Sequence, residues 1–293
     1  MTYHFILNPA AGRGATRKYE QHLLKLCKEH FIDFHLYKTE IPGHAVEIVK
    51  NVATKDSIIV AVGGDGTVHE VVNGIMESDS TLGIIPLGSG NDFIKMLNLP
   101  LDLKSAIEVI KNKKIMMVDV GKVNDKFFPN GLGVGFDSVV VMETSKTKFA
   151  KGFFIYLFAV FRAMWHYQNK KITLHLNGKI ETRNIFMINV GNGKVLGGGF
   201  RLTPDAEIDD GQLDVCLFKP LTKGEILKNL PKAISGKHIH LPQVEMYKTT
   251  QLLIEAEDGV PVHADGELLS TNLKKVEIQV VPKSLKVIHN LKN

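Results

Sequence analysis

The run Gly63-Gly64-Asp65-Gly66-Thr67-Val68-His69-Glu70 holds the residue types with the clearest chemistry in this 293-residue chain. Its three glycines carry no Cβ, so an anion can come close to the backbone. An apolar run, Ile58 to Val62, leads directly into it. Behind it Val68, Val71, Val72, Ile75 and Met76 recur at the spacing of one buried helix face. Thr67, followed three residues on by Glu70, reads as a capping box at the helix start. Strand, glycine turn and helix N-terminus together aim amide N–H groups and the positive end of the macrodipole at one spot, which is a phosphate site. An acidic side chain beside a triphosphate repels it unless a divalent cation intervenes. Asp65 is therefore expected to hold Mg²⁺, directly or through its water shell. The alternative is a turn aspartate that only caps backbone.

Two further loops repeat this topology. Asn8-Pro9-Ala10-Ala11-Gly12-Arg13-Gly14 follows the run Tyr3 to Leu7, and Gly88-Ser89-Gly90-Asn91-Asp92 follows Leu82 to Leu87. Loops at the carboxyl ends of strands in an open α/β sheet gather ligands, so the three are expected to line one cleft. There Asp92 would add a second carboxylate to the metal-water shell and Ser89 would donate to a phosphate. Asp119, closing the run Ile115 to Val120, is a third acidic candidate. Arg13 reads equally as a phosphate contact or as a solvated loop arginine. No Gly-x-x-x-x-Gly-Lys-Ser/Thr loop is present, and Gly131-Leu132-Gly133-Val134-Gly135 lacks the Gly-x-Gly-x-x-Gly spacing. P-loop and dinucleotide-dehydrogenase chemistry are thereby disfavoured.

The elements that must position these loops follow from periodicity. Short apolar runs (Tyr3 to Leu7, Ser57 to Val62, Leu82 to Leu87) alternate with amphipathic segments (Arg17 to His30, His44 to Val52, Val68 to Met76, Leu103 to Lys111). That pattern predicts an α/β domain with a mostly parallel sheet over residues 1–121. Beyond it, closely spaced alternating runs at Lys171 to Leu176, Asn184 to Val190, Leu213 to Phe218, Gln251 to Ala256 and Val276 to Val281 predict a mainly antiparallel β domain over 122–282. Asn177-Gly178 is a hairpin signal, because a primed turn needs positive φ at both central residues. Phe153 to Tyr167 and Lys223 to Ile234 read as helices within that domain.

Hydrophobic residues make up 44% of the chain, enough for two cores. The 36 Lys and Arg exceed the 31 Asp and Glu by five, spread along the sequence, which suits anionic groups but equally suits plain solubility. No nucleic-acid partner is expected. Cys27 and Cys216 sit in unrelated apolar patterns and read as buried, reduced thiols. The first residues run straight into a strand, and Phe153 to Trp165 falls short of the roughly 20 residues that span a bilayer. The expected location is cytoplasmic, with peripheral membrane contact. Phe153 to Tyr167, flanked by Lys148, Lys151, Lys170 and Lys171, reads either as an interfacial helix or, more simply, as a core helix.

Taken together, Gly63-Gly64-Asp65-Gly66-Thr67 and Gly88-Ser89-Gly90-Asn91-Asp92 resemble the diacylglycerol kinase catalytic domain, in its soluble bacterial lipid kinase branch. The likeness continues through Asn8-Pro9, Thr39 ahead of Gly43-His44-Ala45, Pro204 and Ala206 before Asp209-Asp210-Gly211, and Asp265-Gly266-Glu267. The resemblance implies ATP contacts by Asn8, Pro9, Ala10, Ala11, Gly12, Thr39, Gly64, Asp65, Gly66, Thr67, Val68, His69, Glu70 and Ser89. It implies that Asp265 and Glu267 deprotonate the hydroxyl of a glycerolipid, and that Mg²⁺ sits near Glu207, Asp210 and Gln212. The spacing at that last place reads as well as an Asp-Gly turn into a strand. The fold resemblance also brings residues 283–293 back onto the first domain. An NAD kinase-like enzyme with a soluble acceptor, and a non-catalytic lipid or nucleotide sensor, are the competing readings. A homodimer is left open.

Overall fold

A computed structural model describes residues 2–146 and 153–292. Two compact units divide the chain: Met1–Val118 together with Lys283–Asn293, and Asp119–Pro282.

The first unit is built from β1 (Tyr3–Leu7), α1 (Glu20–His30), β2 (Phe34–Lys38), α2 (His44–Val52), β3 (Ile58–Gly63), α3 (Asp65–Ile75), β4 (Thr81–Pro86), α4 (Asp92–Met96) and α5 (Leu103–Asn112). Its strands pair in the order β4-β3-β1-β2, all parallel. Every residue of β1, β3 and β4 is buried. That follows from helices covering both faces of a parallel sheet, and it explains why these runs are continuously apolar. Leu23 and Leu26 of α1 and Ile107 and Ile110 of α5 pack with Phe5, Val60 and Val62 in one core. Asp102 starts α5 by accepting the Ser105 amide at 2.9 Å.

The second unit opens within β5 (Ile115–Val123), which forms a hairpin with β6 (Lys126–Phe128). It continues through β7 (Gly131–Gly135), α6 (Phe136–Ser145), α7 (Phe153–His166), β8 (Lys170–Leu176), β9 (Lys179–Ile185) and β10 (Met187–Gly191). Then come β11 (Leu213–Phe218), α8 (Lys223–Ser235), β12 (Val244–Thr249), β13 (Gln251–Ala264) and β14 (Glu267–Ile288). Strands β12-β11-β10-β7-β13 pair antiparallel in that order, and β13 also pairs β8 and the first part of β14. Asn177 (φ 50) and Gly178 (φ 77) make the two-residue turn between β8 and β9, with Leu176 opposite Lys179. The single run read at Asn184 to Val190 is two strands, because the chain changes partner at Phe186: Ile185 faces Lys170, whereas Met187 faces Gly135. The last turn of β14 is in the first unit, where Lys286 and Val287 pair in parallel with Thr81 and Leu82 of β4. The fold class is the expected one, α/β followed by mainly antiparallel β.

Of α7, one face is core and the other is not. Ala159, Val160, Ala163 and Met164 are buried, while Phe158 (50% exposed), Phe161 (41%) and Trp165 (67%) form a stripe at i, i+3 and i+7. The core reading of the helix therefore describes one side, and the other carries exposed aromatics. Lys148 and Lys151 lie outside the described residues.

Candidate active site

In the first unit, backbone and side chains join the three glycine loops at the carboxyl ends of β1, β3 and β4. Asn8 donates its amide to Val62 O (3.1 Å), and Leu87 donates its own to Gly63 O (2.8 Å). Asn8 Oδ1 accepts the Ala10 amide (2.9 Å), while Asn8 Nδ2 donates to Thr67 Oγ1 (3.0 Å). Where the second loop meets the third, Gly64 and Gly88 are packed backbone to backbone. A Cβ on Gly64 would lie 3.0 Å from the Gly88 Cα, so neither position has room for a side chain. Thr39 is tied to the same strand end, its amide donating to Leu7 O (2.9 Å). Ser89 is exposed, and Asn91 and Asp92 are buried.

One expectation changes here. α3 begins at Asp65, with Gly64 as its N-cap and no side chain capping it, so Thr67 and Glu70 do not form a capping box. The helix starts three residues earlier because Gly64 takes an extended conformation (φ −104°, ψ −168°) that places the next residue directly in the first turn. Glu70 instead caps another helix: its carboxylate accepts the amides of Gly43 (2.9 Å) and Ala45 (3.1 Å) at the start of α2. Asp65 opens α3. Its Oδ2 accepts the Asn91 amide and its Oδ1 the Asp92 amide, both at 2.7 Å. These two bonds clamp the third loop to the second. Lys95 Nζ donates to Asp92 Oδ1 at 2.7 Å.

In the second unit, Asp265 (φ 49) and Gly266 (φ 84) form the two-residue turn of the β13–β14 hairpin, with Ala264 opposite Glu267. Asp265 Oδ1 accepts the amides of Asn130 (3.1 Å) and Gly131 (2.9 Å), and the Asp265 amide donates to Gly131 O (2.8 Å). The turn is thereby fixed to the start of β7. Glu267 is exposed.

The loop before β11 is tied in by Asp119, whose carboxylate accepts the Gly211 amide at 2.6 Å and whose own amide donates to Ile208 O at 2.7 Å. Asp210 Oδ1 accepts the Gln212 amide (3.0 Å), and its Oδ2 accepts Lys248 Nζ (2.6 Å). Glu207 is exposed. Asp214 is buried, its Oδ2 has no hydrogen-bond partner, and Lys248 stands 3.6 Å away. Burial pushes the Asp214 carboxyl up to about 6, with Lys248 opposing and Asp210 adding to the shift. Among the described residues no three acidic, His or Cys side chains converge as a metal cluster. The two cysteines are free and buried, and burial raises the Cys27 thiol to about 12.

Comparison with known proteins decides the family. The diacylglycerol kinase catalytic domain matches residues 2–123, and the YegS C-terminal NAD kinase beta sandwich-like domain matches residues 131–289. A diacylglycerol kinase of Staphylococcus saprophyticus is 32% identical over 267 residues, covering 89% of this chain and 87% of its own. The chain belongs to the diacylglycerol kinase family. Another member, from Bacillus subtilis, is 28% identical over 267 residues, covering 89% of this chain and 88% of its own. The crystal structure of a candidate diacylglycerol kinase from Bacillus anthracis superposes with a TM-score of 0.81 at 27% identity, over 99% of this chain and 97% of that one. Yeast NADH kinase, solved with NADH, shares the fold at a TM-score of 0.57 and 10% identity, over 100% of this chain and 84% of that one. Diacylglycerol kinase family membership makes this a kinase of two-domain architecture. Sequence reasoning missed two contacts: the Glu70 bridge to α2 in the first unit and, in the second, a largely buried pair, Asp137 and His263, beside the Asp265 turn. Gly43 ahead of a helix was a visible signal for the first, and the unexplained glycine run at 131–135 was one for the second.

Proposed function

We propose that this kinase transfers the γ-phosphoryl group of ATP to the hydroxyl of a diacylglycerol-like lipid. The observation that carries the reading is the α3 N-terminus: no side chain caps it, and the loops at Asn8 and Gly88 are bonded to its two sides. Such a constellation presents amides and a positive dipole end to a phosphate chain. Asn8 to Gly12, Thr39, Gly64 to Glu70 and Ser89 are assigned to the nucleotide.

Asp265 and Glu267 are assigned to the acceptor. A lipid hydroxyl is a poor nucleophile at neutral pH and needs a carboxylate to take its proton as the phosphorus is attacked. The two amides on Asp265 Oδ1 hold that carboxylate in one orientation, which an in-line displacement requires.

The donor set fits divalent cations. Asp205, Glu207, Asp209, Asp210 and Asp214 are close in sequence, Lys248 reaches Asp210 and Asp214, and the buried Asp214 Oδ2 accepts no hydrogen bond. Glu207, Asp210 and Gln212 are the residues assigned to hold Mg²⁺ there. Asp65 is assigned, with Asp92, to the water shell of the nucleotide's ion, hard carboxylate oxygens being the ligand type that Mg²⁺ takes. When bound, that ion supplies charge neutralisation at the phosphoryl oxygens.

The acceptor is reached at a membrane surface, and the stripe Phe158, Phe161 and Trp165 supports this. These are large apolar side chains turned to solvent, with Lys223 Nζ held 4.3 Å over the Trp165 ring. No helix among the described residues is long and apolar enough to cross a bilayer.

The test is transfer of γ-³²P from ATP, with Mg²⁺, to a panel of glycerolipids in mixed micelles, with NAD in parallel and Asp265→Asn as control. Labelled lipid that disappears with the variant supports the reading. Label in NAD alone would move the assignment to the NAD kinase-like alternative, and ATP binding without transfer to a sensor.

A further inference from the structure

The glycine run of β7 has no place in the nucleotide site, yet it makes room for a buried polar pair. Gly131, Gly133 and Gly135 share one face of the strand, opposite Leu132 and Val134, which lie in the core. At Gly133 a Cβ would collide with both Asp137 Oδ2 and His263 Nε2. Gly135, at φ +96°, turns the chain into α6, so that Asp137 in the first turn comes to that glycine face.

His263 is 4% exposed, and its two ring nitrogens face different partners. Nε2 is 3.2 Å from Asp137 Oδ2, and Nδ1 is 3.3 Å from the Gly266 amide nitrogen. A backbone N–H can only donate, so Nδ1 accepts and the ring proton is on Nε2, pointing at the carboxylate. Asn189 Nδ2 of β10 donates to the same Asp137 oxygen, which orients it. The tautomer is therefore set by Asp137 on one side and read out by Gly266 on the other.

We propose that His263 is a positioning residue for the Asp265-Gly266-Glu267 turn, with Asp137 fixing its tautomer. The proposal rests on reading that turn as the acceptor's base. Asp265 is anchored from one side by Asn130 and Gly131, and the Gly266 amide that follows it is anchored from the other by the imidazole. Without the second anchor the peptide between Asp265 and Gly266 gains rotational freedom. The hairpin itself survives, since Asp-Gly is already a favoured primed turn. A loss of placement without a loss of fold should appear in turnover.

Two substitutions separate the contacts. His263→Gln carries an amide to the Nε2 position, keeping the bond to Asp137 but leaving no acceptor for Gly266. His263→Asn puts its Oδ1 where Nδ1 was, keeping that acceptor and losing Asp137. Expected for His263→Gln is a kcat lower by about 10-fold, with the KM for ATP and the melting temperature unchanged, and faster hydrogen exchange at the Gly266 amide. His263→Asn should recover most of the lost turnover and the slow exchange. The proposal fails if His263→Gln matches the parent in turnover while Asp265→Asn is inactive, for then the base reading stands without the imidazole. It fails also if both His263 variants lose turnover together with melting temperature, which is packing alone. An active Asp265→Asn overturns the base reading itself and this proposal with it.

Discussion

Glu70 of α3 accepts the Gly43 amide at 2.9 Å, and through it the second helix of the chain starts on a carboxylate from the third. α2 has no cap of its own, since Gly43 carries no side chain and sits at φ 85°. An anionic acceptor at a helix start satisfies orphan amides and opposes the positive dipole end. Glu70→Ala should therefore destabilise the protein by about 1–2 kcal/mol, and Glu70→Gln by less. Urea unfolding of both variants checks this, and equal midpoints for Ala and the parent would remove the bridge from the account.

Asp65→Asn tests the clamp on the third loop. An amide in place of the carboxylate turns one N–H donor toward the Asn91 or Asp92 amide, an unsatisfiable donor pair. We expect a stability loss of roughly 1–3 kcal/mol and, under the proposed function, a fall in kcat of at least about 100-fold. Thermal melts and the lipid transfer assay report the two effects separately.

Thr67→Val is a narrower change. It keeps the volume and removes the acceptor of the 3.0 Å bond from Asn8 Nδ2. With the first loop no longer held to α3, the KM for ATP should rise several-fold while kcat changes little. Thr67→Ser restores the hydroxyl and should restore the KM, and an unchanged KM in Thr67→Val would mean that the loop is held by its backbone bonds alone.

Glu245 gives the pH dependence a sign. The Arg183 guanidinium, bonded bidentate at 2.8 and 3.1 Å, holds its carboxyl down at about 2 from an ordinary 4.5, with Lys219 and Tyr247 assisting. A depressed acid stabilises the fold fully above its unfolded value and loses that contribution as pH falls through the folded one. The window is therefore between about 4.5 and 2. Discounted for solvent screening, the contribution is about 1 kcal/mol. Glu245→Gln should lower the urea midpoint at pH 7 and flatten its decline across that window.

The exposed stripe on α7 makes a prediction independent of chemistry. Phe158→Ser with Trp165→Ser should weaken cosedimentation with anionic lipid vesicles by about 10-fold or more, without lowering the melting temperature. Undiminished sedimentation would send the search for the lipid surface elsewhere.

What the sequence disclosed depended on whether the cause was local. β1, α2 and β11 are recovered residue for residue, because continuous apolar runs and a 3.6-residue period are properties of the segment itself. The Asn177-Gly178 hairpin was legible for the same reason, as its turn dictates positive φ at both residues. β2 was not. Phe34-His-Leu-Tyr-Lys38 is a half-exposed edge strand with no pure alternation, and only its parallel pairing with β1 makes it a strand. Long-range choices were equally hidden. Thr67 and Glu70 have capping-box spacing, but the partners that won, Asn8 and Gly43, are 59 and 27 residues away. Asp65 stands out in the sequence as the acid among the glycines, while its two amide contacts belong to a loop that the chain reaches 26 and 27 residues later.

The parallel pairing of Lys286 and Val287 with β4 sets an order of events during synthesis. Until those residues emerge, β4 presents an open edge, and the His289 amide is absent from Lys114 O as is the Asn290 amide from Leu97 O. A nascent chain that has finished the first 118 residues must then wait through the whole of the second unit before its sheet is closed. An unpaired edge of an apolar strand is a template for other chains. The vulnerable interval for this protein is thus the time a ribosome spends on the β-rich half, and slowing translation there should cost soluble yield.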